Sequence, residues 1–188
     1  MNEMVEEFLN DGGERMNKTV AACQNEFNSI RTGRASTTLL DRITVDYYGA
    51  RTPLKQLANI SSPEARLLVI TPYDKAVIKE IEHAIMESEL GLNPNNDGNV
   101  VRLSIPELTE ERRRELVKVV KGLAENGRIA VRNIRRDVIH EIKKLQKEGE
   151  ISEDELHWAE DELQKVTDEH VKQIDDLLKH KEAEILEV

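Results

Sequence analysis

"FNSIRTGRAS", Phe27 to Ser36, followed by "RITVDYYG", Arg42 to Gly49, holds the change of rhythm that decides the fold. Before it, Val5, Phe8, Gly12, Met16, Val20, Cys23, Phe27 and Ile30 recur at steps of three and four, the spacing of an amphipathic helix that lines a bundle seam. Gly12 and Gly13 weaken that helix by roughly 1 kcal/mol each relative to alanine. After "RTGRAS" the period becomes two: Ile43, Val45 and Tyr47 alternate with polar residues, and Gly49 stops the run. A helix therefore gives way to a strand at Arg31–Ser36.

Strand-like stretches continue through "TPLKQLANIS" and "ARLLVITPY", with Pro53, Pro63 and Pro72 as punctuation. Asp74 can cap a helix that runs to about Glu89, with Gly91 as its C-terminal stop. "NPNNDGN", Asn93 to Asn99, is turn chemistry, and "VVRLSIP" reads as a closing strand. Residues 31–104 thus form a small module of strands and a helix, with positive and negative side chains in balance.

Helical rhythm returns after Pro106. Thr109 suits an N-cap, with Glu110 and Glu111 at the positive end of the helix dipole. One seam runs through Leu116, Val120, Leu123, Val131, Ile134, Val138, Ile142 and Leu145. "KEGEIS" makes the next turn, and Ser152 with Glu155 spells a capping box for a third long helix. Its seam is Leu156, Ala159, Leu163, Val166, His170, Ile174 and Leu177. Long amphipathic helices take most of their stability from burying the apolar face. An α+β chain follows: an antiparallel three-helix bundle from residues 1–30 and 105–188, with residues 31–104 inserted between its first two helices. The two crossings, Thr32 and Gly33 on one strand and Ser104, Ile105 and Pro106 on the other, make a two-strand hinge.

The 188 residues carry a net charge of −10, which excludes a protein that coats nucleic acid indiscriminately. The charge is uneven. Arg112 to Lys147 sums to about +8, and Glu148 to Val188 to about −11. "NGRIAVRNIRRD", Asn126 to Asp137, alone holds Arg128, Arg132, Arg135 and Arg136. On a helical wheel with Val131 at the origin, these four with Arg114, Lys121 and Lys143 fall on one flank, between about 40° and 140°. The acids nearby on that helix are Glu125, Asp137 and Glu141. Residue pattern alone leaves two readings open: a solvated face laced by pairs four residues apart, or a contact surface for an anion. Arginine outnumbers lysine in the middle, and its planar fork matches phosphate. No aromatics interleave, so contact with the backbone and shape of folded RNA fits better than a single-strand stacking platform. A pure helical adaptor for other proteins, without RNA contact, is the alternative.

Nothing points to catalysis. His83, His140, His157, His170 and His180 are scattered, and the Glu80–His83 spacing of a carboxylate-bridged metal site has no second copy. Phosphate-loop, dinucleotide and nucleophile-elbow motifs are absent. No catalytic residue, metal or cofactor is expected. Cys23, the lone cysteine, sits on a seam as a small hydrophobe and fits a reducing compartment. No apolar run reaches 18 residues and the N-terminus is acidic, so a cytoplasmic protein without a membrane span is expected.

Several stretches together resemble the bacterial ribosome recycling factors over essentially the whole chain. They are "IRTGRAS" (Ile30–Ser36), "YYG" with "TPLKQLA" (Tyr47–Gly49, Thr52–Ala58), "GLNPNNDG" (Gly91–Gly98), "LTEERRRELVK" (Leu108–Lys118), "AVRNIRRD" (Ala130–Asp137) and "ISEDE" (Ile151–Glu155). The resemblance implies an L-shaped monomer of two domains that binds the ribosome after termination, on the large subunit. It implies that elongation factor G and its GTP hydrolysis then drive subunit splitting, and that initiation factor three keeps the subunits apart. It also implies ribosomal RNA contacts for Arg132, Arg135 and Arg136, with Arg128 in the same stripe and Arg31 and Arg34 as further candidates in "RTGRA". One departure is Gly127, where the family usually has a better helix former, which puts local helix rigidity in question.

Overall fold

The computed structural model describes residues 2–187 and divides into two compact units. One comprises the chain up to Arg31 together with Glu110–Glu187; the other is Thr32–Thr109.

The first unit is three helices: α1 (Glu3–Asn28), α4 (Glu110–Lys147) and α5 (Glu153–Leu186). Asn2 caps α1 by accepting from Met4 N at 2.9 Å, and Ser152 caps α5 by accepting from Glu155 N at 3.1 Å. The seams expected from the sequence meet in one core. Met16 and Phe27 of α1, Val120, Val131 and Ile142 of α4, and Leu163 and Ile174 of α5 are essentially sealed from solvent. α4 turns into α5 through Gly149 at φ +77°.

The glycines behave differently from what helix propensity suggests. Gly12 is buried, and a Cβ built there would sit 2.9 Å from Val138 Cγ2 and 3.7 Å from Leu163 Cδ1. All three helices converge at that point, so the missing side chain is what lets α1 approach. Gly127 lies inside unbroken α4, where a Cβ would meet Ile174 Cδ1 at 3.2 Å and Cys23 Sγ at 3.3 Å. The helix is not interrupted there, because neighbours on both sides hold it. Cys23 is a core thiol, and burial pushes its pKa up.

The second unit holds the hairpin of β1 (Thr44–Tyr47) and β2 (Ala50–Pro53), a helical turn α2 (Leu54–Leu57), strands β3 (Ala58–Glu64) and β4 (Leu67–Pro72), helix α3 (Ile78–Glu87), and strands β5 (Pro94–Asn96) and β6 (Val101–Ser104). The four later strands pair antiparallel in the order β3-β4-β6-β5. Register sets Ile70 opposite Val101 and Leu68 opposite Leu103, all fully buried, and Ile81 and Ile85 of α3 complete the core. "TPLKQLANIS" is not one strand: Leu54 and Leu57 are both buried from a single helical turn between β2 and β3. An apolar step of three buries both only if the backbone coils. Asp74 caps as expected, accepting from Ala76 N, but the first turn is a 3₁₀ turn and α3 ends at Glu87, short of Gly91. Pro94–Asn96 of the turn-like segment pairs as an edge strand, and Asp97 makes the turn.

The segment after β6 stays with this unit. Ile105 N donates to Arg66 O at 2.9 Å, Arg66 pairs with Glu107, and a Cβ at Gly33 would meet Leu108 Cγ at 3.0 Å.

Candidate nucleic-acid interface

α4 positions the basic stripe. From Arg114 to Lys143 it spans about 44 Å of helix at 1.5 Å per residue. The structure sorts its members by what already neutralises them. Arg114 pairs with Glu110 on the same helix, and Lys143 reaches Glu160 of α5 at 3.6 Å. Arg128 is held most firmly. Its Nε donates to Asp175 Oδ1 at 2.7 Å and an Nη to Glu125 Oε2 at 2.9 Å, leaving the side chain 19% exposed. Burial works against its charge, but the bonds to Asp175 and Glu125 outweigh it and raise its pKa.

The middle of the stripe is different. Arg132 is half exposed and reaches Glu125 only at 3.9 Å. Arg135 and Arg136 make no ion pair among the described residues, and Arg135 Nε is buried without a hydrogen-bond partner. A buried donor left unmade costs about 1–3 kcal/mol. Asp137, which in the sequence looks able to quench the stripe, is turned to α1, where it takes Arg15 at 3.2 Å.

Arg132, Arg135 and Arg136 line one side of a cleft of about 310 Å³. Gln164, Thr167, Asp168 and Val171 of α5 line the other. Thr167 is buried and donates to Leu163 O, and Gln164 donates its amide to Asp168 Oδ1 at 2.8 Å. Sequence reasoning on one helix misses these α5 residues. Their spacing of three, one and three marks a helical flank, but only the pairing of α4 with α5 brings it opposite the arginines.

The other candidates lie elsewhere. Arg31 is an exposed residue that ends the bundle unit just beyond α1. Arg34 belongs to the second unit. Thr32 and Gly33 are half-buried, Ser104 is an exposed residue of β6 opposite Leu67, Ile105 is half-buried and Pro106 exposed. His83 is exposed and pairs with Glu87, while His170 is a packed histidine whose Nδ1 lies 2.6 Å from Val166 O and Nε2 2.6 Å from Asn17 Oδ1. Among the described residues, no group of histidine, cysteine or carboxylate side chains is arranged to hold a metal ion, and no helix is long and apolar enough to cross a membrane.

Comparison with known proteins gives a consistent result. The family model described as ribosome recycling factor matches residues 23–186. The ribosome-recycling factor of Geobacillus sp. is 58% identical over 98% of this chain and all of that one, and that of Bacillus pumilus 56% identical over the same shares. A solution structure of a ribosome recycling factor superposes with a TM-score of 0.74 at 44% identity, covering both chains fully. A second structure, of the T. thermophilus ribosome recycling factor with E. coli elongation factor G, both bound to the E. coli post-termination complex, matches with a TM-score of 0.62 at 45% identity over 97% of this chain and 98% of that one. The chain belongs to the ribosome recycling factor family.

Proposed function

We propose that this protein recycles ribosomes after translation termination. It binds the post-termination ribosome on the large subunit, contacting ribosomal RNA through Arg132, Arg135 and Arg136. Arg128 shapes the stripe, and Arg31 and Arg34 add contacts outside it. Elongation factor G and the GTP hydrolysed by that factor then drive subunit separation with release of mRNA and tRNA, and initiation factor three keeps the subunits apart. The protein itself makes and breaks no covalent bond, and works as a cytoplasmic monomer.

One observation carries the docking reading: on a chain of net charge −10, Arg135 and Arg136 of α4 make no carboxylate pair among the described residues and Arg132 reaches Glu125 only at 3.9 Å, while Arg128 and Lys143 on either side are paired. An acidic remainder limits non-specific RNA binding, and an unquenched arginine cluster supplies the local attraction. For the mechanical step, the sheet unit moves against the bundle about Thr32 and Gly33 and the Ser104–Pro106 stretch.

The test is ribosome binding and subunit splitting for wild type and for Arg132→Ala/Arg135→Ala, with elongation factor G and GTP present. A folded double variant that loses both activities, with its salt dependence reduced by about two phosphate contacts, is the expected result. Wild-type binding and splitting by that variant would overturn the docking role and favour a helical adaptor.

A further inference from the structure

The cleft beside the arginines has a second wall, and its chemistry is not that of a plain phosphate site. Along the α4–α5 seam, ion pairs close the two helices at both ends: Arg128 with Asp175 at one, Lys143 with Glu160 at the other. Between them Asp168 lines the same cleft as three arginines and yet bridges to none of them. Its Oδ1 instead accepts from Gln164, one turn earlier on its own helix. That bond orients the carboxylate and leaves its second oxygen open. A site for phosphate alone gains nothing from a carboxylate in its wall. A site for a whole nucleotide does, because the base edge and the phosphate ask for opposite partners.

We propose that this cleft receives one unstacked RNA nucleotide and that Asp168 reads its base. This rests on the docking role given to the α4 stripe. The arginines that line the cleft take the phosphate through their guanidinium forks. Val171 offers apolar surface to one face of the base, and an arginine plane can stack on the other. Asp168 accepts from the Watson–Crick edge. Guanine alone presents two adjacent donors, N1–H and the exocyclic amino group, to a carboxylate. Adenine and cytosine set an acceptor beside their amino group, which the carboxylate repels. The cleft, at about 310 Å³, falls at the lower end of ligand-pocket sizes, about 300–1,000 Å³, as a single nucleotide requires.

The test uses the full chain and four RNA hairpins identical except for one bulged nucleotide, G, A, C or U. Wild type binds the G bulge about 5- to 150-fold more tightly than the others, the discrimination of one good two-bond contact. Asp168→Asn loses that preference while keeping its affinity for the U bulge. Arg135→Ala weakens all four alike and lowers the salt slope by about one. Equal binding of the four hairpins, no binding at low salt, or a G preference that survives Asp168→Asn would each overturn the proposal. Large-subunit binding by the same proteins separates the two levels. If Arg132→Ala/Arg135→Ala loses the subunit while wild type ignores bulge identity, the docking role stands and the nucleotide cleft falls. If the arginine variant keeps the subunit, the docking role falls and takes the cleft with it.

Discussion

At Gly12 the absence of one carbon decides how three helices meet. Helix propensity counts Gly12, Gly122 and Gly127 alike, each about 1 kcal/mol worse than alanine. Their surroundings rank them differently. A Cβ at Gly12 collides with Val138 at 2.9 Å, a branched side chain fixed in the core, whereas one at Gly127 meets the outer atoms Ile174 Cδ1 and Cys23 Sγ at 3.2 and 3.3 Å, and one at Gly122 meets nothing. Chemical unfolding of the three alanine variants should therefore split. Gly12→Ala loses about 1–3 kcal/mol through overpacking. Gly127→Ala stays within about 1 kcal/mol of wild type, since strain and propensity offset each other. Gly122→Ala gains about 0.4–1 kcal/mol. Three equal gains would mean that close approach plays no part. Tyr48 is a residue of another kind: at φ +49° it takes a conformation usually left to glycine or asparagine, and its hydroxyl donates to Asp74 at 3.1 Å. A helical turn cap and a hairpin are tied together through that one hydroxyl.

Among the elements, the β5–β6 turn is held by a single carboxylate. Asp97 accepts from Arg102 at 2.7 Å and from the backbone N–H groups of Asn99 and Val100. The Arg102 bond first, then the two backbone bonds, depress its pKa far below the ordinary 3.8. A group whose folded pKa is depressed holds fewer protons folded than unfolded. Its stabilisation is complete above about pH 4 and is lost as pH falls through the folded value. Acid unfolding followed by a probe in the sheet unit should show stability decreasing below about pH 4, with a shallower decrease in Asp97→Asn. An identical acid slope in that variant would remove Asp97 from the account. On α4 the same local logic runs in reverse: Arg135 and Arg136, which line the cleft with Gln164 and Asp168, make no ion pair among the described residues, whereas Arg128 and Lys143 meet Asp175 and Glu160. The pairing of elements, not the content of α4, decides which charges stay available.

For the whole molecule, the two units carry separate cores. The sheet unit buries Val45, Leu68, Ile70, Ile81 and Leu103 among its own residues, and the bundle buries Met16, Val131 and Leu163 among its own. Each unit has the internal burial of an independent folding unit. Replacing residues 32–109 by a short glycine–serine linker should thus leave a cooperatively unfolding helical protein that still binds ribosomes with steep salt dependence but no longer splits them with elongation factor G. Circular dichroism, binding and splitting measured on one preparation check this. A folded bundle that cannot bind would move the docking energy away from α4.

By itself the sequence determined the parts. Period-four seams in α1, α4 and α5, period-two alternation in "RITVDYY", the caps at Asp74 and Ser152, and the one-sided flank of arginines were all legible, because each depends on residues a few positions apart. "LKQL" was misread as strand because four residues are too few to show a period, and burial of both leucines under the sheet unit settled the matter. Tertiary structure alone decided the rest. Asp175 and Glu160 lie far along the chain from the arginine and lysine they quench, Asp137 turns away to Arg15, and Gln164 with Asp168 arrives opposite Arg132 and Arg135 only when antiparallel helices set their register. Periodicity places a side chain on a face of its own helix. What that face meets depends on how the helices pack, and it is there that an arginine becomes either half of an ion pair or a free hand for phosphate.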